Sequence, residues 1–157
     1  MSQTDTVILE KQLCFAVYSA SHAFTRAYRT LLEPLDLTYP QYLVLLVLWE
    51  RDGMRVKEIG ARLFLDSGTL TPLLKRLEGI GYVRRIRDVN DERQVSIMLT
   101  PLGQALEAKA ASIPRDLQCM IGAPGDDIGL LAEQIAKLRN GLQHTSGEAG
   151  TRELESE

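Results

Sequence analysis

"LDSGTLTPLLKRLEGIG", residues 65–81, runs directly into "YVRRIRDV" (82–89), "NDE" (90–92) and "RQVSIMLT" (93–100). The first segment has helical spacing: Leu70, Leu73, Leu74 and Leu77 make one apolar stripe. Asp66 or Ser67 suits its N-cap, and Gly79 and Gly81 suit its stop. Pro72 falls in the first or second turn, where it bends a helix slightly. Ser67, Gly68, Thr69, Thr71, Pro72, Lys75 and Arg76 lie off the leucine stripe and are small or polar. The period then changes to that of two strands, with "NDE" as the tip between them.

Working outward, "RVKEIGARLFL" (55–65) predicts a short helix just upstream. "LTYPQYLVLLVLWE" (37–50) predicts another, with Thr38 as cap and Pro40 in the first turn, and Gly53 closes it. Residues 10–32 repeat apolar side chains at Leu13, Ala16, Val17, Ala20, Ala23, Phe24, Ala27 and Leu31, without Gly or Pro, until Pro34. Beyond the hairpin, "TPLGQALEAKAASI" restarts a helix with Thr100 as cap, Pro114 kinks it before "RDLQCMI", and "GAPGDD" breaks it before "IGLLAEQIAKLRNGL". The predicted fold is mainly α with one small β-hairpin. A short helix pair with a tight link, followed at once by a hairpin, describes a winged helix-turn-helix flanked by N- and C-terminal helices.

The chain has 157 residues, 45% of them apolar, enough for one domain with a core. The expected organisation is a single domain over 1–144, with outer helices at about 10–33 and 101–142 and the lobe with the helix pair and hairpin at about 54–100. Residues 145–157 carry four glutamates against one arginine and are expected to form a disordered acidic tail. No apolar run reaches membrane-spanning length and no secretory signal is visible, so a cytoplasmic protein with no membrane association is expected. The net charge of −3 argues against a uniformly basic nucleic-acid binder. The distribution says more: Lys75, Arg76, Arg84, Arg85 and Arg87 stand against Glu78 alone within 68–87.

A helix entering the major groove needs a greasy back, small residues where backbone meets phosphate, and donors aimed at base edges. The predicted fourth helix has all three. The hairpin adds Arg84, Arg85 and Arg87 for phosphates, and Arg93 near its tip, where an arginine can enter a minor groove. For the helix alone, an amphipathic helix with a solvated charged face is the simpler account. The basic hairpin directly after it tips the balance to nucleic acid.

Residues 55–103, from "RVKEIGARLFLDSGTLTPLLKRLE" to "RDVNDERQVSIMLTPLG", resemble the DNA-binding lobe of the MarR family. "LCFAVYSASHAFTRAYRTLLEPLDLTYPQYLVLLVLWE" (13–50) resembles its organic hydroperoxide resistance regulators, the OhrR branch, and the likeness covers roughly residues 10–140. The resemblance implies a homodimer built from the N- and C-terminal helices. It also implies a repressor of a gene for an organic-peroxide-reducing thiol enzyme. Its double-stranded operator would be pseudo-palindromic, with half-sites about one helical turn apart. By position, Ser67, Thr69, Thr71, Pro72, Lys75 and Arg76 would face the major groove, and Arg93, in an Asp-x-Arg pattern with Asp91, the minor groove.

Positions 14, 18, 21, 25 and 28 follow steps of four and three, so Cys14, Tyr18, Ser21, Thr25 and Tyr28 line one polar stripe of the first helix. A thiol reacts with peroxide as thiolate, and hydroxyl donors stabilise the charged form. On the residues alone, a small buried cysteine beside packing tyrosines is the better account. The resemblance implies that Cys14 is the peroxide-sensing residue, with Tyr28 and Tyr39 as its hydroxyl partners. Tyr28 is 14 positions from Cys14, about 21 Å along a straight helix, so any contact must cross a dimer. Part of the OhrR branch carries a C-terminal resolving cysteine, which implies that role for Cys119, as an intersubunit disulfide with Cys14.

No metal site or cofactor is expected: the cysteines are far apart, and His22 and His144 make no ligand set with them. The protein is expected not to be an enzyme. A thiol peroxidase turning over on Cys14 would leave the basic hairpin without a purpose. The alternative regulatory reading is a MarR-type repressor released by a reversible phenolic ligand, with Cys14 incidental.

Overall fold

In the computed structural model, residues 8–91 and 93–152 are described, with side chains to residue 144. The chain divides into two compact units, residues 1–117 and 118–157.

The first unit opens with a single 3-10 turn, Leu9–Lys11, and helix α1, Leu13–Leu32. A second 3-10 turn, Glu33–Leu35, takes up Pro34, and Asp36 then adopts a left-handed backbone with φ 52°. Helix α2, Tyr39–Glu50, starts as its sequence predicts: the Thr38 N–H donates to Gln41 Oε1 at 2.9 Å, and Pro40 occupies the first turn. Its continuous apolar run is buried nearly all round, with Tyr42, Val44, Leu45, Val47 and Leu48 all in the core. Strand β1, Met54–Arg55, leads into α3, Val56–Leu63, and α4, Ser67–Ile80.

The α3–α4 link is a close backbone approach. A Cβ on Gly60 would lie 2.7 Å from the Leu65 carbonyl oxygen, so this position admits glycine alone without backbone movement. Phe64 closes α3 in the left-handed region at φ 55°, and the Leu65 N–H donates to the Gly60 carbonyl at 2.9 Å. Asp66 then caps α4: its Oδ1 accepts from the Thr69 N–H at 2.8 Å and its Oδ2 from the Thr69 hydroxyl at 2.9 Å. Those two donors, the backbone one first, hold its carboxyl below the usual range. Gly81, at φ 90°, ends the helix.

Strands β2, Val83–Arg87, and β3, Val95–Leu99, form the predicted hairpin. Strand β1 was not legible in the sequence: it pairs antiparallel with β3 and makes the sheet three-stranded in the order β1-β3-β2. Two residues are too few to show strand periodicity. The register sets Val83 opposite Leu99, Arg85 opposite Ile97 and Arg87 opposite Val95. The sheet is anchored at its base, where the Asp52 carboxylate accepts from the Leu99 N–H at 2.8 Å. The Tyr82 hydroxyl donates to the Leu35 carbonyl at 3.0 Å.

Helix α5, Pro101–Ala110, is capped by Thr100, whose Oγ1 accepts from the Gly103 N–H at 3.1 Å. The break that follows differs from the expected kink at Pro114. The chain leaves the helix at Ala111–Ser112, and Pro114 is the second residue of α6, Ile113–Ile121. A first-turn proline has no intrahelical N–H bond to lose, so it starts a helix here rather than bending one.

In the second unit, the Gly122–Pro124 break is shorter than expected, because α7, Gly125–Arg152, takes Asp126 and Asp127 into its first turn, where carboxylates suit the helix N-terminus. Helical backbone continues to Arg152, into the stretch expected to be a disordered tail from residue 145. No proline interrupts residues 145–152, so nothing steric halts the helix there. Residues 153–157 of that expected tail lie outside the described residues. Among the described residues, no single helix is long and apolar enough to cross a membrane.

The core of the first unit joins Leu32, Leu37 and the inner face of α2 to Ile59, Leu70, Leu74, Leu77, Val83, Ile97 and Leu106. Three of the four predicted leucines of α4 are fully buried and Leu73 packs against the same core. Leu70→Ala should therefore lower the unfolding free energy by about 2–5 kcal/mol, as a cavity between α3 and α4 would require. Urea denaturation checks this, and a loss below about 1 kcal/mol would contradict the packing described.

Candidate nucleic-acid interface and thiol-bearing helix

Burying the leucine stripe of α4 turns its other face outward. Ser67, Thr69, Pro72, Lys75 and Arg76 are exposed and Thr71 is half-buried. Thr69 and Thr71 already make bonds that shape the helix: the Thr71 hydroxyl donates to the Ser67 carbonyl at 2.7 Å, and Thr69 serves the Asp66 cap. Lys75 and Arg76 extend from the middle of the helix. All six residues singled out on α4 thus belong to one element, off its buried stripe.

The hairpin arginines divide. Successive strand residues point to opposite faces, so Arg84 faces away from Arg85 and Arg87. Arg85 is committed: its Nε donates to Glu78 Oε2 at 2.8 Å and its backbone N–H to Oε1 at 3.2 Å, tying β2 to α4. The backbone N–H first, with the guanidinium adding to it, holds Glu78 below the usual carboxylate range. Arg85 is therefore a wing arginine already spent on an internal pair. Among the described residues, Lys75, Arg76, Arg84, Arg87 and Arg93 stand in no ion pair.

Arg93 stands on a shaped tip. The Asp88 carboxylate accepts from the Asn90 N–H at 2.8 Å. The Asp91 carboxylate accepts from the Arg93 N–H at 3.1 Å and from Gln94 Nε2 at 3.1 Å. Asp91 thus organises backbone, and the exposed Arg93 guanidinium pairs with no acid among the described residues.

On α1 the polar stripe is present, but its ends differ. Cys14 is exposed, and Tyr18 is exposed with its ring edge-on to His22 at 4.4 Å between centroids. At the other end Tyr28 is half-buried and stacks on Tyr39 of α2, with centroids 4.1 Å apart and planes 23° from parallel. Tyr42, which no sequence pattern singles out, lies 5.9 Å from Tyr28 and 6.2 Å from Trp49. Its place within an unbroken apolar run hides it. Burial first, then the neighbouring phenols of Tyr39 and Tyr42, pushes the Tyr28 hydroxyl up to about 12. Burial likewise raises Tyr39 and Tyr42. These phenols stay protonated at neutral pH and remain donors. The structure brings Tyr28 and Tyr39 together. Cys14 lies about 21 Å from Tyr28 along the unbroken α1.

Apolar side chains on α1 are uncovered: Leu13, Val17 and Phe24 are all exposed. In the second unit the same holds for Met120, Ile121, Leu130, Leu131, Ile135 and Leu142. Cys119, on α6, is also exposed. Among the described residues, no three His, Cys, Asp or Glu side chains converge as a metal site.

Comparison with known proteins gives consistent relatives. The family profile described as "Transcriptional regulator SarA/Rot" matches residues 26–109. The HTH-type transcriptional regulator TtmR of Methylorubrum extorquens is 58% identical over 150 residues, spanning 94% of this chain and 77% of that protein. The organic hydroperoxide resistance transcriptional regulator of Bacillus subtilis is 46% identical over 134 residues, spanning 85% of this chain and 91% of its own. Among solved structures, reduced AbfR bound to DNA superposes with a TM-score of 0.76 at 36% identity, covering 90% of this chain and 99% of AbfR. A disulfide-formed AbfR superposes at 0.62 and 38% identity, over 87% and 96%.

The raised phenol of Tyr28 makes a pH prediction. A folded-state pKa above the unfolded value near 10 favours the folded, protonated form. That contribution is fully present below pH 10 and is lost as pH climbs through about 12. Tyr28→Phe should therefore flatten the alkaline loss of stability between those values, measured by urea unfolding. It should also remove the highest-pH component from the phenolate absorbance titration. An unchanged titration would show that Tyr28 is not the buried phenol.

Proposed function

The chain belongs to the MarR/SarA–Rot family of transcriptional regulators, and from that premise we propose that it is a homodimeric, peroxide-sensing DNA-binding repressor. It binds a pseudo-palindromic duplex operator through α4 and the wing. It leaves that operator when an organic hydroperoxide oxidises Cys14.

The observation that carries this reading is the layout of α1. One end holds an exposed thiol, and the other holds the stacked, half-buried Tyr28–Tyr39 phenols. About 21 Å separates them within one chain. Two α1 helices crossing antiparallel about a two-fold axis bring each Cys14 to the partner's phenols. The uncovered Leu13, Val17 and Phe24, with the apolar face of α7, are the surfaces such a dimer buries. The kinship with the Bacillus subtilis hydroperoxide regulator and with AbfR, solved on DNA and in a disulfide form, supports both halves of the proposal.

The chemistry runs in two balanced steps. The Cys14 thiolate attacks one peroxide oxygen, the O–O bond breaks, and an S–O bond forms. The alkoxide leaves, takes up a proton and becomes the alcohol, while sulfur is oxidised by two electrons to sulfenic acid. Phenol donors stabilise the thiolate and so raise the fraction of Cys14 in the reactive form. The Cys119 thiol of the partner then attacks the sulfenic sulfur. An S–S bond forms and water leaves, which protects Cys14 from irreversible oxidation.

On DNA the exposed donors of α4 occupy the major groove, and Arg93 reaches the minor groove beside it. Arg93→Ala should weaken operator binding roughly tenfold or more while the fold is kept. Unchanged affinity in the folded variant would remove the wing from the interface.

Sensing is tested by gel shift with cumene hydroperoxide. Wild type should release its operator and rebind after dithiothreitol, and Cys14→Ser should stay bound. On a non-reducing gel, oxidised wild type should run as a covalent dimer, and either Cys14→Ser or Cys119→Ser should abolish it. Peroxide release by Cys14→Ser would overturn the sensing role. Release by a phenolic acid without oxidation would favour a reversible-ligand repressor.

A further inference from the structure

On one surface of the first unit Arg55 and Lys57, not assigned so far, join Arg93, and among the described residues no carboxylate lines the space between them. Arg55 and Lys57, at the start of α3, and Arg93, Gln94 and Val95 of the wing line a cavity of about 370 Å³. Three positive side chains from two separate elements converge there, and all three are exposed. Two described carboxylates close by in sequence, Glu58 and Asp91, are engaged elsewhere. Glu58 accepts from the Arg55 backbone N–H at 2.9 Å and pairs with Arg51 at 3.5 Å. Asp91 is held by the Arg93 N–H and by Gln94 Nε2. Among the described residues, no acid pairs with the side chain of Arg55, Lys57 or Arg93.

Strand pairing explains why the three meet. Arg55 sits opposite Ser96 in the β1–β3 ladder, so the start of α3 is held beside the β3 end of the wing. Like charges brought together repel, and with no acid among the described residues pairing with them the cluster invites a counter-charge from outside.

We propose that Arg55 and Lys57 form a phosphate clamp for the DNA backbone, holding one phosphodiester beside the point where Arg93 meets the duplex. The proposal rests on the DNA-binding reading above and deepens it. The clamp is a positioning contact: it carries no base information but fixes the wing against the strand, and so sets the depth at which Arg93 enters the groove.

The test measures dissociation constants across a salt series, on operator and on a scrambled duplex of equal length. Wild type is compared with Arg55→Gln, Lys57→Gln and the double variant. Lys109→Gln, an exposed cation on α5 outside the lobe, controls for net charge. Thermal midpoints and circular dichroism confirm that each variant folds. The clamp predicts weaker binding of both duplexes by the same factor. It also predicts that the slope of log affinity against log salt becomes shallower by about 0.9 for each phosphate left without its cation. Lys109→Gln should leave the slope unchanged. Wild-type slopes in the folded double variant, or a weakening confined to the operator, would overturn the clamp and leave the DNA-binding reading intact. Failure of wild type to bind either duplex would overturn that reading and the clamp with it.

Discussion

A Cβ on Gly60 would stand 2.7 Å from the carbonyl oxygen of Leu65 and 3.6 Å from a methyl of Leu70. That close approach sets the distance between α3 and α4, and much of the lobe follows from it. With α3 drawn in, Ile59 and Leu70 are both fully buried. Phe64 accepts a left-handed backbone so that the chain can turn within two residues, and Asp66 is delivered to the N-cap of α4. Once the leucine face of α4 is pinned to the core, its polar face can only point outward.

The electrostatics of the exposed face follow from how the acids are used. The chain is net negative, yet the acids nearest the interface are occupied. Asp66 caps α4, Glu78 holds the backbone and guanidinium of Arg85, Asp91 shapes the wing tip, and Asp52 anchors β3. Each is bound to backbone N–H groups, which satisfies the turn or helix end and removes the acid as a partner for surface cations. Among the described residues, Lys75, Arg76, Arg84, Arg87 and Arg93 are left in no ion pair. A negative total is therefore compatible with a basic surface, because phosphate contacts depend on local charge.

Helix α1 has a different logic. Among the described residues, its C-terminal end, Tyr28 to Leu32, packs on its own chain through the stacked tyrosines and the buried Leu32. The rest exposes an apolar face and a thiol to solvent. An isolated amphipathic helix gains most of its stability from burying that face, so a helix left open here calls for a second surface. On the proposed reading, that surface is a second copy, and the thiol gains its phenol donors by the same association.

Several features were legible in the sequence because they depend on near neighbours in the chain. The helices at 13–32, 39–50 and 67–80, their caps at Thr38, Asp66 and Thr100, the glycine stop at Gly81 and the β2–β3 hairpin all follow from spacing of three or four, alternation, or a single residue's backbone preference. The outward set on α4 was readable for the same reason. What tertiary structure alone decided depends on residues far apart in sequence. Strand β1 exists only because β3 pairs with it across some forty residues. Arg85 reads as a free cation in the sequence, and only the packing of β2 on α4 hands it to Glu78. Tyr42 joins Tyr28 and Tyr39 only when α1 folds back on α2. Arg55 and Lys57 face Arg93 only because the ladder closes between them. Periodicity reports which face of an element is apolar, but a contact between elements is settled by the packed core, and no local pattern encodes it.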